Sequence, residues 1–452
     1  MLINPLAHVV LASALIAAPL LREAGAAGIT APAAHIANVQ VSHDRFLAHA
    51  MPRVAVNPRN PENLLGASKV LSTQEELPFT YVSLDGGRTW RDNGALPLPH
   101  GFDRGSSDLD VAFDAQGHAF VAAAAIATTN SQSAPQIRSS AIFFWRSPDG
   151  GQHFSAPVAV GQGNHFQDAP DLAVDTAASS PYAGSIYLLF NHYVALFPSP
   201  RPGGVYLAVS RDGGLTFTTP RRVSGPPTAQ QGAIGVAVGP GGTLYVLFAD
   251  VSDPTGVASL QLVRSIDGGR HFSAPVQVAS GRWPQTVAWI HDSPALAIDP
   301  RSGTLYVTIK AFRPGTQQMD VQVLRSADGG RTWSAPTPVT GDLPVASAQT
   351  VPFEAQPAVG ATGTLYVSYY LLTRRGVDVY LTRSTDRGAH FAPRQRITTT
   401  SFDPARNGLP GGGDPYLGDF QGLAVGGGLV HPFWTDTRTG HLQIFTAAVP
   451  GA

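Results

Sequence analysis

An octapeptide that recurs six times constrains the fold of this chain more than any other feature. Ser83-Leu-Asp85-Gly-Gly87-Arg-Thr89-Trp90 is the fullest copy, and others begin at Ser147, Ser210, Ser265, Ser326 and Ser384. Their aspartates stand at 85, 149, 212, 267, 328 and 386, spaced 55–64 residues apart. A period of that size specifies an array of similar supersecondary units, none of which can bury its own apolar face alone. Each copy has the chemistry of a tight turn. Its Ser and Asp oxygens are suited to accept the turn's backbone N–H groups, and its glycines adopt positive φ at low cost. The closing Trp or Phe is large enough to anchor the turn between packed sheets.

A second motif alternates with the first: a short apolar strand, a turn and another strand. Leu296-Ala-Ile-Asp-Pro-Arg-Ser-Gly-Thr-Leu-Tyr-Val307 and Val236-Ala-Val-Gly-Pro-Gly-Gly-Thr-Leu-Tyr-Val246 show it, with further copies near Val54, Val111, Leu172, Ala358 and Leu423. Seven such openings against six octapeptides give units of strand A, turn, strand B, loop, strand C, octapeptide and strand D. Four antiparallel strands repeated radially make a β-propeller. The expected fold is all-β, with seven four-stranded blades, or six if one opening is an insertion. The last unit lacks strand D, and the alternating stretch Ile36–Ser42 is expected to supply it. A single propeller domain over 36–450 follows. With 48 Gly, 38 Pro and 13% charged residues, the composition suits short strands and tight turns.

Residues 1–26 read as a secretory signal peptide. The apolar run Val9–Leu21 is too short to span a bilayer, and Ala24-Gly-Ala26 offers small residues for cleavage. The expected location is therefore secreted, extracellular or periplasmic, with no membrane insertion after cleavage. The chain has no cysteine, which excludes disulfides, thiolate metal sites and a cysteine nucleophile. A net charge of −1 gives no basis for a nucleic-acid partner. No cofactor is expected; the histidines are scattered, and a structural Ca²⁺ is not indicated by any spacing. A monomer is expected.

The A–B turns and octapeptides are short and uniform, whereas the D–A and B–C connections are long and irregular. Long loops on a rigid frame carry binding functions, so the site is expected at their end of the channel. The octapeptide aspartates are then structural. Residues leading into each strand A form a ring at that mouth: Arg53, Asp108 with Asp110, Asp168 with Asp171, Gln231, Asp292, Glu354, and Asp414 with Asp419. Trp283, Trp289 and Tyr416 lie nearby in sequence and could stack on a sugar. Carboxylates of unequal pKa across a pocket can hydrolyse a glycosidic bond. The alternative role for each is to bind backbone amides at strand ends.

The octapeptide resembles the Asp-box, or BNR repeat, of the sialidase superfamily. Gly418-Asp-Phe-Gln-Gly-Leu-Ala and Val430-His-Pro-Phe-Trp-Thr-Asp-Thr-Arg438 likewise resemble the last blade of secreted bacterial sialidase-family proteins. The resemblance implies a sialidase-like propeller acting on, or binding, extracellular carbohydrate or glycoprotein. Asp-boxes also occur in non-sialidases, so they speak for fold and not for reaction. If the protein is an enzyme, the resemblance implies exo-α-sialidase-type glycoside hydrolysis. Arg53 would clamp the substrate carboxylate, Asp103 or Asp108 would be the acid/base, and Glu354 with Tyr416 the nucleophile pair. Arg375 and Arg438 are candidates for the remaining anion clamps, and Asp168, Trp283, Trp289 and Asp292 for other substrate contacts. Two departures stand out: the Pro of Pro52-Arg53-Val54 precedes the arginine, and Phe420 occupies the position aligned with the nucleophile. The rival readings are a non-catalytic glycan- or protein-binding propeller and a glycosidase or lyase for another polysaccharide.

Overall fold

The computed structural model describes residues 36–451 apart from 73–75, 129–136, 164, 194–201, 226–230, 254, 283–289, 291–292, 314, 317, 344–349 and 409–414. The leader expected over 1–26 lies outside the described residues, as do Trp283, Trp289, Asp292 and Asp414. Seven antiparallel sheets are arranged as blades of a β-propeller, with no helix among the described residues. Blade 1 runs His49–Val56, Leu64–Leu71, Glu76–Ser83 and Arg91–Ala95 from strand A to strand D. Blades 2 to 6 repeat this order and begin with Arg104–Phe113, Phe166–Val174, Gln231–Val238, Ala295–Ile298 and Val351–Val359. Blade 7 takes Gly422–Gly426, Leu429–Asp436 and Gln443–Thr446 from the end of the chain. Its fourth strand is Val39–Gln40, paired antiparallel with Gln443–Thr446 through Val39–Thr446 and Gln40–Phe445. Strand A of each blade packs on strand A of the next, and blade 7 returns to blade 1, so the seven inner strands enclose a channel.

The core is divided among the seams between blades. Leu65 and Ala67 of blade 1 meet Leu109, Val111 and Trp145 of blade 2. Phe433 and Ile444 of blade 7 meet Val70, Phe79 and Tyr81 of blade 1. Comparable clusters fill the other five seams. This is why alternate residues of the second strands are apolar on both faces: each sheet is covered by a blade on either side.

The octapeptides hold these seams. In the copy at Ser326, the Ser Oγ donates to Asp328 Oδ1 at 2.8 Å and accepts the Gly330 N–H at 2.9 Å. Asp328 Oδ1 accepts the N–H groups of Arg331 and Thr332, and its Oδ2 accepts the Thr332 hydroxyl at 2.6 Å. Where the seventh residue is His, as in His271, ring Nδ1 lies 2.6 Å from the aspartate Oδ2. These bonds favour the carboxylate, and they outweigh desolvation to hold Asp149 and Asp212 down at about 2. The closing aromatic is tucked against the preceding blade: Trp90 lies 5.3 Å from Phe433 of blade 7, and Phe217 lies 4.9 Å from Phe144 of blade 2. The second glycine abuts that blade too. A Cβ on Gly214 would overlap Phe144, and one on Gly330 would overlap Leu262.

Candidate active site

The inner strands carry a shared irregularity that builds the site. Register breaks fall between Ala50 and Arg53, Gly105 and Leu109, Asp168 and Asp171, Ala233 and Gly235, and Phe353 and Gln356. Five blades thus bulge at the same level of strand A, and a bulge re-aims the side chains beside it. Among the described residues only four non-glycines have positive φ, and three lie in these bulges: Met51 at 57°, Ala169 at 50° and Glu354 at 48°. Strained backbone of this kind costs about 1–3 kcal/mol and persists where packing over-determines it.

The bulged strands surround a cavity of about 300 Å³ in the channel, with Arg53, Asp108, Asp110, Asp171, Glu354 and Asp419 among its walls. One cation therefore faces five carboxyl groups. Arg53 Nε lies 3.6 Å from Asp110 Oδ1, and the guanidinium carbon lies 3.7 Å above the centre of the Phe420 ring. Asp110 Oδ2 accepts the Leu172 N–H at 2.8 Å, and Asp171 Oδ2 accepts the Val236 N–H at 2.6 Å. Asn191 Oδ1 takes the Ala233 N–H at 2.6 Å. Each of these bonds joins one blade to the next, so Asp110 and Asp171 serve the frame as well as the cavity wall.

Burial and mutual repulsion push several of these acids toward the protonated form. Desolvation, then the Asp110 charge, raises Asp171 to about 8. Asp108 is raised well above the usual carboxylate range by burial, then by Asp168 and Asp419. Glu354 is raised similarly by burial and then by Asp419, with Lys310 opposing. Asp419 therefore acts electrostatically on both Asp108 and Glu354. Behind the wall, Lys69 Nζ pairs with Glu76 Oε2 at 3.3 Å, and burial brings Lys310 down to about 8.

Of the residues singled out in the sequence, Arg53, Asp108, Asp110, Asp171, Glu354 and Asp419 meet in the cavity wall. Asp168 is buried next to Asp108, and the half-buried Tyr416 lies within electrostatic reach of Asp419, Asp108 and Glu354. Three are elsewhere. Asp103 accepts the Thr128 N–H at 2.7 Å and also the Thr128 hydroxyl. Arg375 is exposed in the turn between Leu365–Thr373 and Gly376–Ser384. Arg438 pairs with Asp436 at 2.6 Å and lies over Phe445 in blade 7. Sequence reasoning missed Lys69 and Lys310. The signal was present: each is the sixth residue of its second strand, as Asn191 is, and a lone lysine in an apolar strand needs a buried partner. Among the described residues, no group of three or more His, Cys, Asp or Glu is placed to hold a metal ion. No described helix is long and apolar enough to cross a membrane.

No family model and no curated protein matches this chain. Similar solved structures include a protein of unknown function from Dyadobacter fermentans, with 14% identity, 92% of this chain and 98% of that one covered, and a TM-score of 0.50. Another is the α-L-arabinofuranosidase of Fusarium graminearum in complex with arabinobiose, with 11% identity, coverage of 91% and 97%, and a TM-score of 0.51. A Hadza microbial sialidase has 15% identity, coverage of 84% and 74%, and a TM-score of 0.49. At these identities the likeness to the Dyadobacter and Fusarium structures is one of fold alone.

Proposed function

We propose that this protein is an exported glycoside hydrolase that takes the terminal sugar of an extracellular glycan into its channel. The observation that carries the reading is the pair of proton-holding acids, Asp108 and Glu354, with Asp419 acting on both. Glycoside cleavage needs one protonated carboxyl to donate to the leaving oxygen and one carboxylate to act as base or nucleophile. Asp108 or Glu354 suits the first role, and Asp419 the second. The cavity is at the small end of ligand pockets, which suits a terminal residue better than a length of polymer.

The charge balance favours a sugar without a carboxylate. An anionic sugar needs converging guanidinium groups, whereas Arg53 faces five carboxyls and is already beside Asp110. The Fusarium protein of similar fold is described with arabinobiose, a neutral sugar. Exo-α-sialidase chemistry stands second, favoured by Tyr416 lying within reach of Glu354. A fluorogenic panel of neutral, amino and sialic glycosides tests the reading on wild type, Asp108→Asn and Glu354→Gln. Turnover of a glycoside lacking a carboxylate, reduced at least a hundredfold in the variants, is the expected result. Turnover of the sialoside alone would favour the second scheme. Turnover of nothing would leave a non-catalytic glycan- or protein-binding propeller.

A further inference from the structure

We infer that the channel selects a terminal sugar bearing a free ammonium group, such as a hexosamine without its acetyl group. The inference rests on the glycan reading above and names its substrate class. Asp108 is the observation that reaches beyond the charge count. It is 7% exposed and lines the cavity, and its buried Oδ1 has no hydrogen-bond partner among the described residues. Asp110 and Asp171 differ in this respect, because each accepts a backbone N–H from the next blade. A buried acceptor without a partner is costly, and a ligand that brings a donor removes the cost.

The kind of donor follows from the surroundings. Asp108 is repelled by Asp168 and Asp419, so a cation at its oxygen also relieves like-charge repulsion. The ammonium's charge favours the ionised form of Asp108, so the proton that burial favours there passes to solvent as the ligand binds, and Glu354 remains as the proton donor. The resulting bond from an ammonium to a carboxylate is roughly twice as strong as a neutral one. An ammonium carries three donors and needs no fixed coordination geometry. A metal ion would need several ligands converging on one point, a grouping that the described acids do not form. Acetylation of the sugar nitrogen would remove the charge and most of the donors together.

Isothermal titration at pH 7 tests this with D-glucosamine and D-galactosamine, their N-acetylated forms, and D-glucose and D-galactose. Ethanolamine serves as an amine without a ring. At least one amino sugar is expected to bind tenfold or more tightly than both of its counterparts and than ethanolamine. Asp108→Asn should cancel that advantage, bringing the affinity for the amino sugar down to that for its neutral and acetylated counterparts, with circular dichroism checking the fold. Glu354→Gln provides a second variant should the first misfold, and it too should reduce the advantage. Equal affinity for amino and neutral sugars would overturn the inference and leave the glycan reading standing. Equal affinity for ethanolamine would overturn it by removing any role for the ring. Binding of none of these would also overturn it, and the glycoside panel would then decide the broader reading separately.

Discussion

The Arg53 guanidinium lies over the Phe420 ring in the channel, with its central carbon 3.7 Å from the ring centre. Because Asp110 Oδ1 also lies 3.6 Å from Arg53 Nε, this cation links blade 1, blade 2 and the approach to blade 7. Its contribution is expected to be structural as much as ligand-directed. Arg53→Gln should lower stability by about 2–3 kcal/mol, since removing one partner leaves a mostly buried carboxyl uncompensated. Denaturant unfolding measures this, and a change below about 0.5 kcal/mol would show the linkage to be unimportant.

The octapeptide carboxylates should be worth more than ordinary surface aspartates. Asp328→Ala removes an acceptor from two backbone N–H groups and two hydroxyls. A loss of about 2 kcal/mol is expected, with sugar binding unaltered. Chemical denaturation combined with the titration above checks both halves.

Gly330 should not tolerate a methyl group. Its φ is 78°, and a Cβ there would overlap Leu262 of the preceding blade. Gly330→Ala is expected to cost more than about 2 kcal/mol through backbone strain and overpacking together. Gly241→Ala has a similar φ of 79° with open space around it, and isolates the backbone part. Equal melting temperatures for the two variants would argue against the steric account.

Two buried groups tilt the pH dependence of stability in opposite directions. His431 is held down at about 4 by burial, so the unfolded chain takes up that proton first. The stability tied to its neutral form is lost as pH falls from about 6.5 through 4. Asp171 is raised to about 8, so the folded chain keeps a proton that the unfolded chain releases near 4. Its contribution is full below about pH 4 and is lost as pH rises through 8. Between pH 6.5 and 8 only the second effect operates, and Asp171→Asn should flatten the decline there. His431→Leu should instead change the slope between pH 4 and 6.5. Unfolding midpoints across pH 4–9 measure both, and parallel curves for wild type and variants would contradict these assignments.

The fold was legible because each blade repeats its signals at a fixed order, and a tandem pattern is hard to mistake. The channel acids were legible for a related reason: they precede the apolar run of each inner strand by a similar spacing, although the strands themselves begin earlier and contain Asp108, Asp110, Asp171 and Glu354. What sequence spacing could not supply was partnership. Asp103 looks like its neighbours in the ring, but Thr128, on the adjoining strand, binds it. Phe420 was visible as a residue lacking a hydroxyl, yet its contact with Arg53 depends on the last blade meeting the first. The bulges that turn Glu354 and its counterparts inward have no turn signature in sequence. Only glycine announces a positive φ in advance, and Met51, Ala169 and Glu354 are not glycines.

The junction of the two chain ends has a bearing on biogenesis. Ile444 donates its N–H to Ser42 Oγ at 3.0 Å across 402 residues of sequence, so the earliest-made strand waits for the latest-made sheet. Six blades can form in order of synthesis, but the circle stays open until the final one docks. Until then its outermost sheets present unpaired edges and bare apolar flanks, an interval in which a chaperone or a protease has the advantage.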